Sequence, residues 1–112
     1  MQPKVILVCG LPCTGKSTVS KVLAKKIRQA GKKSVILRTD EIRKKLIEKP
    51  QYTEDEKKFV YNVLLMFTEF FLKKDINCIV DGTFYRKSLR NTLKEVAEKN
   101  NAGFLIIECT LD

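Results

Sequence analysis

The chain has no tryptophan and no histidine, and only five glycines and three prolines among 112 residues. Without histidine there is no imidazole to act as general base or metal ligand. No run approaches the roughly 18 apolar residues of a membrane helix. There is no internal repeat, linker or low-complexity stretch. The four cysteines, Cys9, Cys13, Cys78 and Cys109, form no C-x-x-C pair, and three fall in apolar strand patterns. They read as small packing residues in a reducing cytoplasm rather than as disulfides or a zinc site, Cys13 excepted, which lies outside those strands and reads as partly accessible. The length suits one domain with a real core.

What is present begins with Gly10-Leu11-Pro12-Cys13-Thr14-Gly15-Lys16-Ser17. This matches G-x-x-x-x-G-K-[ST], a loop that wraps backbone N–H groups around phosphate oxygens. In that pattern Lys16 reaches the β- and γ-phosphates of ATP, and the Ser17 hydroxyl is a ligand for Mg²⁺. Residues from Gly10 to Thr18 are the candidate nucleotide contacts. The flanks fit the motif. Lys4-Val5-Ile6-Leu7-Val8-Cys9 is the apolar run of a strand buried on both faces. Val19, Val22, Leu23 and Ile27 then recur at helical spacing.

Strand and helix patterns alternate to the end of the chain. Strands are expected at about 4–9, 34–38, 78–81 and 104–109, with helices at about 15–30, 39–49, from 53 onward, and 86–100. Pro50 stops the second helix, and Thr53-x-x-Glu56 is a capping box for the third. That third helix carries Phe59, Val60, Val63, Leu64, Phe67, Phe70 and Phe71, an apolar face read as core-packing. Asn100-Asn101-Ala102-Gly103 breaks the fourth. Alternating β and α predicts a three-layer α/β domain, a parallel sheet with helices on both faces. Ligands of such sheets collect at the carboxyl ends of the strands.

Those ends carry two acids. Asp81 follows Ile79-Val80 and suits Mg²⁺, directly or through water; the competing reading is a turn residue before Gly82. Asp40 follows the second strand and could accept the proton of an acceptor hydroxyl, with a plain helix N-cap as the alternative. Arg43 lies one turn further on and could bind a transferring phosphate, or simply face solvent. Thr83, Arg86 and Arg90 follow the Asp81 strand and are candidate acceptor contacts, Arg86 and Arg90 sharing a helix face. Tyr85 reads as a packing staple or a base-stacking ring.

The net charge of +9, from 22 Lys+Arg against 13 Asp+Glu, suits an anionic substrate or RNA. Most of the excess nevertheless sits on polar helix positions such as Lys25, Lys26, Lys57 and Lys58, a solvated surface.

These motifs resemble the P-loop small-molecule and RNA kinases, among them adenylylsulfate kinase, seryl-tRNA(Sec) kinase, chloramphenicol phosphotransferase and polynucleotide kinase. The likeness runs over the whole chain: the loop at 10–17, Asp40-x-x-Arg43, Asp81-x-Thr83 and Arg90. It implies ATP and Mg²⁺ as cofactors, Lys16, Asp40 and Arg43 as catalytic residues, Asp40 being the base, and a cytoplasmic enzyme. It implies a small anionic acceptor, adenylylsulfate-like first, with a tRNA or polynucleotide second. Tyr52-Thr53-Glu54-Asp55-Glu56 resembles the substrate-side segment of the adenylylsulfate kinases, whereas residues 79–85 resemble the tRNA kinase more. From another class, a P-loop ATPase or nucleotide switch would carry the same loop without a base facing an acceptor. Family members continue into an arginine-bearing lid and a fifth strand, which would begin where Leu111-Asp112 end the chain. The resemblance therefore implies a C-terminally truncated domain.

Overall fold

The computed structural model describes residues 2–10, 15–83 and 86–110. Its elements are β1 (Lys4–Cys9), α1 (Lys16–Gln29), β2 (Ser34–Arg38), α2 (Thr39–Leu46), α3 (Glu54–Leu72), β3 (Asn77–Asp81), α4 (Lys87–Lys99) and β4 (Gly103–Glu108). The four strands form one sheet in the order β2-β3-β1-β4, and every pairing is parallel. The alternating α/β architecture expected from the sequence is the one observed.

Side chains alternate across a strand, so β1 serves two cores. Val5, Leu7 and Cys9 face a cluster with Cys78, Val80, Ile42, Val60, Leu64 and Leu93, built with α2, α3 and α4. Ile6 and Val8 face the other way and pack with Ile79, Val19, Leu23 and Ile27, under α1 alone. A continuous apolar strand is what two covered faces require. Asn77 ties the N-terminal edge together: its Oδ1 accepts from Lys4 N at 2.8 Å, and its Nδ2 donates to Lys33 O at 3.0 Å.

Several boundaries and faces differ from expectation. Helix α2 ends at Leu46 rather than near Lys49, because Ile47 turns extended (φ −125°, ψ 116°) and packs against the larger core. Strand β4 begins at Gly103 and ends at Glu108, so Cys109 lies one residue beyond it and is half-buried. Its N–H still donates to Cys9 O at 2.8 Å. Val22 is largely exposed. The broad apolar face of α3 divides: Val60, Leu64, Thr68 and Leu72, spaced by four, are buried, while Phe59, Met66, Phe67 and Phe70 stay outside. One helix presents only about a third of its circumference to a flat sheet, and the 60-64-68-72 row takes that place.

Candidate functional site

Gly15 caps α1 with φ 86°, the left-handed region that glycine enters without steric penalty. Lys16 Nζ folds back and donates to Gly10 O at 2.8 Å, closing the loop that joins β1 to α1. Leu11, Pro12, Cys13 and Thr14 of that loop lie outside the described residues, as do Phe84 and Tyr85. Ser17 and Thr18 are exposed at the helix start, where N–H groups and the positive dipole end are available to an anion.

Register brings Asp81 to this point. Val8 pairs with Asp81 across β1 and β3, and Arg38 pairs with Asp81 across β2 and β3. The Asp81 carboxylate is buried; Arg38 Nε lies 3.4 Å from its Oδ2, and Ser20 Oγ donates to the same oxygen at 3.4 Å. Burial raises its pKa, and the charges of Arg38 and Lys16 with the Ser20 hydroxyl oppose that shift. Ser20 is fully buried one turn beyond Lys16. Its contribution left no trace in the motif; the signal was a hydroxyl beside Val19 on the inward side of an apolar-faced helix.

Asp40 lies in the first turn of α2, whose N-cap is Arg38. The N-cap reading of Asp40 is thereby excluded. Its carboxylate is 79% exposed and accepts from Arg43 Nη1 at 2.9 Å. Arg43 is not a solvent-facing helix residue: it is buried, and its guanidinium lies 4.7 Å from the centre of the Tyr52 ring.

One cavity of about 650 Å³ connects these groups: Lys16, Ser17, Asp81, Asp40, Arg43 and Tyr52 all line it, with Lys57, Lys58 and Arg86. Thr83 also lines it. Arg86 pairs with Glu54 at 3.3 Å, joining the starts of α4 and α3 at its rim. Arg90 does not line the cavity. Its charge instead acts on the Cys9 thiol, opposing the rise that burial imposes there. Lys57 and Lys58, read from the sequence as surface charge, do line it.

A metal fits only in company. No cluster of three or more acidic or cysteine side chains among the described residues could hold one unaided. One hydroxyl (Ser17) and one carboxylate (Asp81) beside a phosphate-binding helix start suit Mg²⁺, which keeps waters and takes its remaining ligands from phosphates.

A parallel sheet in this order, with Lys16 at the helix start after β1 and an acid at the end of the neighbouring strand, is the three-layer fold of the P-loop nucleoside triphosphate hydrolases. The chain belongs to the AAA_33 family, described as an AAA domain, which residues 5–112 match. It is 31% identical over 103 residues to L-seryl-tRNA(Sec) kinase of Methanococcus maripaludis, a match covering 92% of this chain and 39% of that protein. The chain thus spans about two-fifths of that relative's length. Among solved structures it is similar to the Mycobacterium tuberculosis APS kinase CysC in complex with AMPPNP and APS, with TM-score 0.83 and 17% identity over 97% of this chain and 63% of the other. It is likewise similar to the Pnkp1/Rnl/Hen1 complex, with TM-score 0.80 and 17% identity over 99% of this chain and 36% of the other. No described helix is long and apolar enough to cross a membrane.

Proposed function

We propose that this domain is the core of an ATP-dependent kinase that moves the γ-phosphate to an acceptor hydroxyl. The observation that carries the reading is one cavity whose lining brings together the α1 start with Lys16 and Ser17, Asp81, and the Asp40–Arg43 pair. Lys16 would exchange its bond to Gly10 O for the phosphates, and Ser17 and Asp81 would hold the metal. A Mg²⁺ ion held there would supply neutralisation of the negative charge on the phosphates. Asp40 takes the proton as the acceptor O–H bond breaks and the new O–P bond forms; ADP leaves with the electrons of the severed β,γ-bridging bond. Arg43 fixes the Asp40 carboxylate and offers positive charge to the transferring group.

An adenylylsulfate-like acceptor is the first reading, since Arg86, Lys57 and Lys58 supply local cations and Tyr52 and Tyr61 supply rings around a cavity of small-molecule size. A tRNA acceptor is the second, supported by the 31% identity to the seryl-tRNA(Sec) kinase. A nucleotide-hydrolysing switch is the reading from outside this class.

The test is transfer of radiolabelled γ-phosphate by the full-length protein to adenylylsulfate and to seryl-tRNA(Sec), in wild type and Asp40→Asn. Transfer lost in the variant with Mg·ATP binding retained supports the proposal. Acceptor-independent hydrolysis that Asp40→Asn leaves untouched would sink it in favour of the switch.

A further inference from the structure

Arg43 is buried and charged, and its contacts account for its orientation. Nη1 meets Asp40 and the Tyr52 ring covers the guanidinium. The remaining edge, Nε, faces Glu56 Oε1 at 3.4 Å, and the two side chains are equally withdrawn from solvent, 8% and 9% exposed. The pair is in ion-pair range without hydrogen-bond alignment, and neither atom has another hydrogen-bond partner.

The other oxygen of the same carboxylate has a separate task. Glu56 Oε2 accepts from the backbone N–H of Gln51 at 2.8 Å and of Tyr52 at 3.1 Å. Tyr52 has φ 57°, a left-handed backbone that a bulky side chain adopts only where its surroundings impose it. The two bonds to Glu56 impose it, and the ring thereby comes to lie on Arg43. Thr53, the N-cap, completes the turn by accepting from Glu56 N at 3.2 Å. One side chain therefore fixes both the strained turn and the free edge of Arg43.

We infer that Glu56 is a positioning residue: through Arg43 it holds Asp40 toward the cavity before any acceptor arrives. Its use in transfer rests on the kinase reading above; the geometric coupling does not. Glutamine at this position keeps an oxygen for the Gln51 and Tyr52 N–H groups but turns an amide NH₂ toward Arg43 Nε. Donor then meets donor, and the guanidinium is displaced.

The experiment follows the side-chain Nε–Hε resonance of Arg43 in ¹⁵N-labelled protein, assigned by its loss in Arg43→Lys. In wild type its burial beside Glu56 is expected to make it exchange slowly. Glu56→Gln is expected to speed its exchange at least about tenfold, and Glu56→Asp, one methylene short of spanning both tasks, to do the same should the glutamine variant fail to fold. Thr53→Ala weakens the same helix end without touching Arg43 and is expected to leave the resonance protected. In the full-length protein, Glu56→Gln should lower kcat with the active acceptor at least about tenfold and keep KM for Mg·ATP within about twofold. Equal protection in wild type and Glu56→Gln, or equal loss in Thr53→Ala, overturns the inference. If neither adenylylsulfate nor seryl-tRNA(Sec) accepts phosphate from the wild type, the kinase reading fails, while the Arg43 resonance still decides the role of Glu56.

Discussion

Arg38 and Asp81 are register partners on adjacent parallel strands, and their side chains meet at 3.4 Å from Nε to Oδ2. The cationic partner is only partly buried and the acid is almost wholly so. Desolvation consequently outweighs the attraction, and the Asp81 pKa stands above its ordinary 3.8.

A raised carboxylate pKa means that the folded state holds the proton more tightly than the unfolded state. The stability Asp81 contributes is full below 3.8 and is lost as pH rises through the higher folded value. Asp81→Asn has no such titration. Without Mg²⁺, thermal melts of the two proteins are expected to diverge in the variant's favour as pH rises from about 3.8 toward neutrality. A difference that stays constant with pH would contradict this. The same variant should weaken the Mg²⁺ dependence of nucleotide binding, where Asp40→Asn should not.

Lys16→Ala removes a full positive charge from the proposed phosphate site. Charge-assisted hydrogen bonds are worth about 1.5–3 kcal/mol, so ATP affinity should fall by roughly 10–100-fold. Isothermal titration with Mg·ATP measures it, and unchanged affinity would remove the nucleotide assignment.

Cys78 is buried against Thr68, its thiol pushed up to about 12 by desolvation. At pH 8 iodoacetamide should label Cys109 before Cys9 and leave Cys78 unmodified until urea unfolds the chain. Peptide mapping before and after denaturation provides the comparison.

Acceptor turnover should depend on local rather than diffuse charge. Lys25 and Lys26 lie exposed on α1, whose buried side covers the sheet face opposite α2 and α3. Charge reversal at both should leave turnover of the full-length protein unchanged, whereas Arg43→Ala should abolish it. If the lysine reversals abolish turnover and bulk tRNA competes at physiological salt, the acceptor is RNA, held by distributed phosphate contacts.

The strands were legible because a parallel sheet covered on both sides demands unbroken apolar runs, and β1 and β2 supply them. The start of α3 was legible for a local reason: the Thr53 hydroxyl and Glu56 N–H meet within one turn. What escaped was decided at a distance. Ser20 and Asp81 are 61 residues apart in sequence, and only strand register brings them together. Nothing local marks Arg43 as buried, since its shelter comes from Tyr52 and Glu56 across a turn whose backbone at Tyr52 is left-handed. On α3, helical spacing grouped Val60 and Leu64 with Phe59, Phe67 and Phe70 and left out Thr68 and Leu72, because sequence alone does not say which arc of an apolar helix meets the sheet.

The strand order also sets a timetable. β1 is synthesised before both of its sheet neighbours, β3 and β4, and its opening N–H bonds to a side chain 73 residues further on. No local hairpin can shelter Val5, Leu7 and Val8 in the meantime. At ribosomal rates of about 5–20 residues per second, that segment spends roughly 4–15 s outside any sheet. Contacts this far apart in sequence make for slow collapse into the native pairing. A nascent chain halted before Asn77 should therefore be captured by a hydrophobic-segment chaperone through residues 4–9, and one extended past Glu108 and clear of the exit tunnel should not.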